Sequence, residues 1–231
     1  MPRPVPLPAV AVVVPTLNAA PTIAATLASL FSSDCQMPAE ILVVDGGSSD
    51  TTCSIAESAG ARVITAERGR GIQLAAGVAA VRSPWLLLLH ADTRLDAGWQ
   101  VSVRHHTIAA PGRAGYFRFA LESDDPRSRS LERAVRWRCC VFALPYGDQG
   151  LLIHRDLLAK VGGIRPLPLM EDVDLVRRLG RRRLVPLDVR AITSARRWER
   201  EGWRRRSLRN LLCLSLFFAG VPARWIRLLY G

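Results

Sequence analysis

The sequence is almost without lysine: of its 32 basic residues only Lys160 is not arginine, and with 20 acidic residues the formal charge is +12 over 231 residues. Cysteine is sparse and unpaired in pattern. Cys35, Cys53, Cys139, Cys140 and Cys213 are scattered, odd in number and without a Cys-x-x-Cys pair. That argues against a disulfide framework or a cysteine zinc site and fits a reducing, cytoplasmic compartment. No apolar stretch reaches the roughly 18 to 20 residues that span a bilayer; the longest candidate is Leu211 to Val221. The start, MPRPVPLPAV, has one arginine and four prolines by residue 8, which makes a poor signal peptide. An apolar fraction of 49% and a charged fraction of 23% exclude disorder and collagen-like structure. The length suffices to bury a core without disulfide or metal staples.

The charge is unevenly placed. Residues 1–176 hold 17 basic and 17 acidic residues, whereas residues 177–231 hold 15 basic and 3 acidic, so the whole excess lies at one end. Twelve arginines fall between Arg177 and Arg206. A nucleic-acid binder acting through its entire surface is disfavoured, and the arginine run has only Trp198 and Trp203 as stacking platforms. The pattern suits a neutral catalytic body with a basic end.

Apolar runs at Ala9–Val14, Glu40–Val44, Arg62–Thr65 and Trp85–His90 read as strands. Alanine- and leucine-rich segments at Pro21–Phe31, Thr51–Ala59 and Gly71–Val81 read as the helices between them. The first ~95 residues therefore predict a parallel α/β sheet, which binds ligands beyond the carboxyl ends of its strands. Beyond Asp92 the pattern becomes mixed: a strand at Gly115–Leu121, a polar loop at Ser123–Arg129, a helix at Leu131–Cys140 and a short strand at Gly150–Ile153.

Carboxylates fall just past predicted strand ends at Asp45, Asp92, Asp148 and the Glu171–Asp172 pair. Several converging on one sheet edge is a common way to hold Mg²⁺ or Mn²⁺ together with substrate phosphates. Each also has a structural reading: Asp45 before two glycines as a turn, Asp92 as a helix cap, and Glu171–Asp172 as compensation of a helix dipole. In GRGIQLAAG, Arg70 and the backbone N–H groups at a helix start could receive phosphate oxygens, or form a simple glycine turn.

Taken in order, VVVPTLNAAPTI, ILVVDGGSSDTT, GRGIQLAAGVAA, WLLLLHADTRLDAGW, YGDQGLLIHRD, MEDVDLVRRL and SARRWER resemble the family 2 glycosyltransferases with a GT-A fold, over residues ~9 to 200. The strings are most similar to the arsenosugar-biosynthesis or radical-SAM/selenodomain-associated subgroup and to the diaponeurosporenoate glycosyltransferases. The resemblance implies a Rossmann-like, mostly parallel sheet with helices on both faces, a nucleotide-diphospho-sugar donor, a divalent cation and inversion at the sugar. It implies Asp92 as the metal ligand, in an Asp-x-Asp position whose first residue is His90, which would contact the nucleotide or the metal, and Asp172 as the general base. Asp45 would lie near the nucleoside, with Gly46 in place of a second acid. Asp148 and Gln149 would line the donor-sugar or acceptor pocket, and Glu171 would stand with the substrate-binding residues. Arg197 would bind phosphate and Trp198 stack on a sugar, with Ser194 where processive relatives carry glutamine. A nucleotidyltransferase acting on a sugar phosphate is the alternative, disfavoured because PTLNAAP after the first strand has neither glycine nor a basic residue.

Residues 1–200 are thus expected to form the transferase domain and 201–231 a basic, apolar helical appendage. Trp203–Ala219 and Ala223–Tyr230 predict two helices broken at Gly220 and Pro222. Their arginines and tryptophans suit an anionic membrane surface at its inner face, or packing on the sheet. The acceptor expected is a sugar, a lipid or another small molecule.

Overall fold

The computed structural model describes residues 9–31 and 38–230; Cys35 and the proline-rich start lie outside the described residues. In chain order the elements are β1 (Val10–Thr16), α1 (Ala20–Leu30), β2 (Glu40–Asp45), α2 (Thr52–Ser58), β3 (Arg62–Thr65) and α3 (Arg70–Ala80). Then come β4 (Trp85–Leu88), β5 (Thr93–Leu95), α4 (Trp99–Ala109), β6 (Ala114–Glu122), α5 (Pro126–Phe142) and β7 (Leu151–His154). The chain ends with α6 (Arg155–Lys160), α7 (Glu171–Leu179), β8 (Leu184–Ser194), α8 (Arg196–Glu201), α9 (Trp203–Phe218) and α10 (Ala223–Tyr230).

The strands form one sheet in the order β3-β2-β1-β4-β7-β6-β8-β5. The expected parallel half is present, with β3, β2, β1 and β4 side by side. The second half is mixed: β7 is antiparallel to both β4 and β6, β6 and β8 are parallel, and β5 is antiparallel to β8. Every residue of β1 is buried, because alternate side chains serve two cores. Val10, Val12 and Val14 pack with Ile23 and Leu27 of α1, while Ala11 and Val13 pack with Leu74 of α3. This burial explains why the strand reads as an uninterrupted apolar run.

Two segments differ from expectation. The polar stretch at Ser123–Arg129 already contains the first turn of α5, where Asp125 accepts from the Arg127 N–H and Pro126 occupies the first helical turn. Both are helix-start signals hidden in a charged segment. The arginine run also contains an 11-residue strand, β8, which buries Leu184, Leu187, Ala191 and Thr193 while Arg190 reaches out to Asp96 at 2.7 Å. The two C-terminal helices form where the sequence predicts them. Among the described residues no helix is long and apolar enough to cross a membrane.

The helix that carries Arg70 is pressed against the sheet at Gly77. A Cβ there would run into Val13 and sit 2.8 Å from Val44 Cγ2. Gly77→Ala should therefore lower stability by about 1–3 kcal/mol, because the extra methyl overpacks the core and outweighs alanine's helix preference. Urea unfolding of the variant measures this as a lower midpoint.

Candidate active site

The carboxyl ends of β1 and β4 open into a cleft of about 370 Å³. Arg68, Arg70, Arg196, Arg197 and Arg227 line it, and Asp92 is the one carboxylate among its lining residues. A smaller cleft of about 100 Å³ adjoins it, lined by Asp148, Asp172, Trp198, Arg206 and Asn210 among others. Arg70, His90, Asp92, Leu169, Arg197 and Tyr230 line both.

Arg70 starts α3 and joins the two halves of the chain. Its Nε lies 3.1 Å from Glu171 Oε1, and its Nη1 is 3.4 Å from His90 Nε2. Glu171 is only 1% exposed; burial pushes its carboxyl up to about 7 against the opposing pull of Arg70. His90 is pushed down to about 4 by burial and by the adjacent Arg70 charge, so the ring is neutral near pH 7 and Nε2 accepts from the guanidinium.

Asp172 follows Glu171 at the opening of α7. Met170 before it has φ +65°, a strained conformation for a residue with a side chain, and such strain concentrates at functional positions. Asp172 Oδ2 accepts the Gly147 N–H at 2.8 Å, and Oδ1 accepts the Val173 N–H at 2.8 Å. Burial would raise its pKa, but Arg70 and the two N–H groups outweigh burial and hold it below the usual carboxylate value. Asp172 is thus a buried, ionised carboxylate. Gly147 permits this approach, because a Cβ there would collide with His90 Nε2 and lie 3.2 Å from Asp172 Oδ2.

Asp92 sits at the mouth of both clefts on a pinned backbone. Its carbonyl accepts from the Ser194 N–H at 3.0 Å, and the preceding Ala91 carbonyl accepts from Thr26 at 2.9 Å. Its carboxylate has no hydrogen-bond or ion-pair partner among the described residues.

Three sequence candidates lie elsewhere. Asp45 lines neither cleft: its carboxylate accepts from the Gly47 and Ser48 N–H groups at 2.9 and 2.8 Å and from the Ser48 and Thr16 hydroxyls. Burial raises its pKa, and these donors bring it below the ordinary value. It closes its own turn. Gln149 is likewise committed to structure, donating to the Phe117 carbonyl at 3.0 Å and accepting from the Tyr146 N–H at 3.2 Å. Glu171 acts on Arg70 rather than on either cleft. The structure brings together Arg70, His90, Asp92, Asp148, Asp172, Arg197 and Trp198. The Trp198 ring belongs to the core, with the Arg206 guanidinium 5.9 Å from its centroid.

Sequence reasoning missed Gln73, Arg68, Arg196, Arg227, Arg206 and Tyr230. The buried Gln73 Nε2 donates to the carbonyls of Thr16 and Val44, both at 2.7 Å, bracing the ends of β1 and β2 beside the larger cleft. An amide on the apolar face of α3 was the available signal. The C-terminal residues had none, because only the folding back of α9 and α10 brings them to the sheet edge.

With this geometry in place, comparison with known proteins gives a consistent result. Residues 11–122 match the family described as glycosyl transferase family 2. Uncharacterized glycosyltransferases of Mycobacterium bovis and Mycobacterium tuberculosis are 39% identical over 93 residues, covering 39% of this chain. The chain spans only 39% of the length of these relatives. Among solved structures, glucosyl-3-phosphoglycerate synthase from Mycobacterium tuberculosis, in complex with Mn²⁺, UDP and glucosyl-3-phosphoglycerate, has a TM-score of 0.54 at 21% identity, covering 80% of this chain and 70% of that one. Mannosyl-3-phosphoglycerate synthase from Rubrobacter xylanophilus has a TM-score of 0.61 at 19% identity, covering 92% and 75%. TarS of S. aureus in complex with UDP-GlcNAc has a TM-score of 0.62 at 16% identity, covering 80% and 58%. The fold is the GT-A glycosyltransferase fold.

Substitutions at two positions test this site. Gln73→Leu removes both strand-end hydrogen bonds and should cost about 1–3 kcal/mol in urea unfolding, with Gln73→Glu worse near neutral pH because a carboxylate would face two carbonyls. For Asp148, burial pushes the carboxyl from 3.8 up to about 6, with Asp172 and Asp92 adding to the shift and Arg138 opposing it. The folded state then binds more protons than the unfolded chain across that window, so stability falls as pH rises through it. Asp148→Asn should raise the Tm at about pH 7.5, by on the order of 1–3 kcal/mol in stability, and change it little at about pH 4. Thermal unfolding at the two pH values checks the sign.

Proposed function

We propose that the protein is an inverting, divalent-metal-assisted glycosyltransferase that moves a sugar from a nucleotide-diphospho-sugar to a small or amphiphilic acceptor. The observation that carries this reading is the larger cleft, where five arginines and one free carboxylate meet beyond the strand ends. A diphosphate answers that charge, and arginine forks match phosphate oxygens in pairs. Glucosyl-3-phosphoglycerate synthase and TarS, which share the fold, are complexed with UDP and UDP-GlcNAc in their solved structures.

The donor set suits Mg²⁺ or Mn²⁺ bound chiefly through the substrate. Among the described residues no group of three or more His, Cys, Asp or Glu side chains could hold a metal. The unpartnered Asp92 carboxylate can serve with the diphosphate oxygens, the sparse protein coordination usual for Mg²⁺. When bound, the cation neutralises charge developing on the diphosphate leaving group.

In this reading Arg70 and Arg197 hold the diphosphate where the two clefts meet, with Glu171 and His90 fixing Arg70. Asp172, ionised in the smaller cleft, takes the proton from the acceptor hydroxyl as it attacks the anomeric carbon. A single displacement from the side opposite the nucleotide inverts that carbon. Asp148 lines the acceptor side.

Residues 1–200 then form the transferase domain and residues 201–231 a segment that closes it. Arg204, Arg205, Leu208, Leu211 and Leu212 on α9 and Arg224, Trp225 and Leu228 on α10 are all exposed. An apolar stripe flanked by arginines fits the inner, anionic face of a membrane, each arginine near the surface contributing ~1 kcal/mol. The strings HADTRL, YGDQG, MEDVDL and SARRWER support placement in the arsenosugar-biosynthesis or selenodomain-associated subgroup.

Thermal-shift titration with nucleotide-sugars, with and without Mn²⁺, tests the assignment, since a ligand of the native state raises its stability. Wild type should be stabilised only with Mn²⁺ present, and Asp92→Ala should lose that response. Asp172→Asn should retain binding and lose at least about a hundredfold in transfer to a hydroxyl acceptor, as expected for loss of a general base. Metal-dependent binding unchanged in Asp92→Ala would remove Asp92 from the donor site.

A further inference from the structure

We propose that the smaller cleft is the acceptor site, that α9 builds its far wall, and that it selects a neutral hydroxyl-bearing ring with an apolar body over carboxylated or phosphorylated acceptors. The inference rests on the glycosyltransferase reading and deepens it.

Four of the residues that line this cleft each carry a buried side-chain atom without a hydrogen-bond partner: Trp198 Nε1, Arg206 Nε, Asp148 Oδ1 and Asn210 Oδ1. Trp198 is 9% exposed and Arg206 3%. A buried polar atom left unpaired costs about 1–3 kcal/mol, so four around one cleft mark a place where a ligand completes the bonding. Two are donors and two are acceptors. Hydroxyl groups, which both donate and accept, satisfy this set, whereas a carboxylate or phosphate offers acceptors only.

Charge points the same way. Arg206 is already engaged, with Nη1 3.2 Å from Glu201 Oε1 and Nη2 donating to the Tyr230 hydroxyl at 2.7 Å. Arg70, Arg197 and Asp92 face the donor diphosphate and its cation in the reading above. What remains toward the acceptor is Asp148 and Asp172, which repel an acid. Leu169, Met170, Val173 and Leu214 supply apolar walls. The selected chemistry therefore differs from that of the phosphoglycerate named with the glucosyl-3-phosphoglycerate synthase structure.

Calorimetric titration of the full chain with octyl β-D-glucoside below its micelle concentration, and with octanoate, tests the proposal. Each titration is run with and without Mn²⁺ and UDP. Octyl glucoside should bind at least about tenfold more tightly than octanoate, the difference one unpaired buried group can make. Asn210→Leu and Trp198→Phe, the latter keeping an aromatic ring without the N–H, should each weaken octyl glucoside about five- to thirtyfold. Asn210→Leu should bind UDP with Mn²⁺ as wild type does, which also shows that it is folded. Failure of wild type to bind octyl glucoside, equal or tighter binding of octanoate, or unchanged affinity in folded variants would overturn the proposal. Octyl glucoside binding without any UDP binding would uphold the pocket and refute the donor reading instead.

Discussion

The site hangs on one ion pair, Arg70 with Glu171, that crosses from the start of α3 to the start of α7. The two groups lie 3.1 Å apart, yet neither Glu171 oxygen makes a well-directed hydrogen bond. A carboxylate that deeply buried is costly alone, and the guanidinium that offsets it is fixed in return. The next residue along α7 is Asp172, and the other side of Arg70 meets His90. Locking the pair therefore sets the ionised carboxylate, the neutral imidazole and the cation facing the cleft together. Glu171 and His90 thus hold Arg70 from two sides.

The parallel half of the fold was legible because strands buried on both faces leave continuous apolar runs, as in Ala11–Val14 and Leu86–Leu89. The placement of Asp92 and Asp172 at the clefts was legible because one follows such a run and the other sits at a helix start, each within a distinctive string. Asp45 illustrates the limit: the same Asp-Gly-Gly pattern serves a ligand or a turn, and in the structure its oxygens accept from the donors of its own turn. Strand β8 was hidden because its outward residues are arginines, which obscure an alternation carried by Leu184, Leu187 and Ala191. Asn210, Arg227 and Tyr230 could not be read as site residues, since their role depends on where α9 and α10 dock.

The charge excess resolves into separate tasks. Arg178 ties the Val161 and Gly163 carbonyls to Asp174, Arg181 reaches the carbonyls of Cys140 and Val141, and Arg183 reaches that of Leu179. Bridging several oxygens at once suits a planar fork of donors better than an ammonium, a physical reason for arginine at these positions in a chain nearly devoid of lysine. Arg196 and Arg197 face the larger cleft, while Arg204 and Arg205 remain on the outer surface. A net charge of +12 is thus partly internal bracing, partly the lining of the larger cleft and partly an exposed basic edge.

The central claim is that a metal-bound diphosphate sits between Asp92 and the arginines. Anomalous diffraction from crystals of the full chain grown with Mn²⁺ and UDP, or with Mn²⁺ and GDP, tests it most directly. The account predicts one manganese peak in contact with the Asp92 carboxylate and diphosphate oxygens against Arg70 and Arg197. Manganese held away from Asp92, or a nucleotide whose phosphates lie outside the arginine-lined cleft, would contradict it.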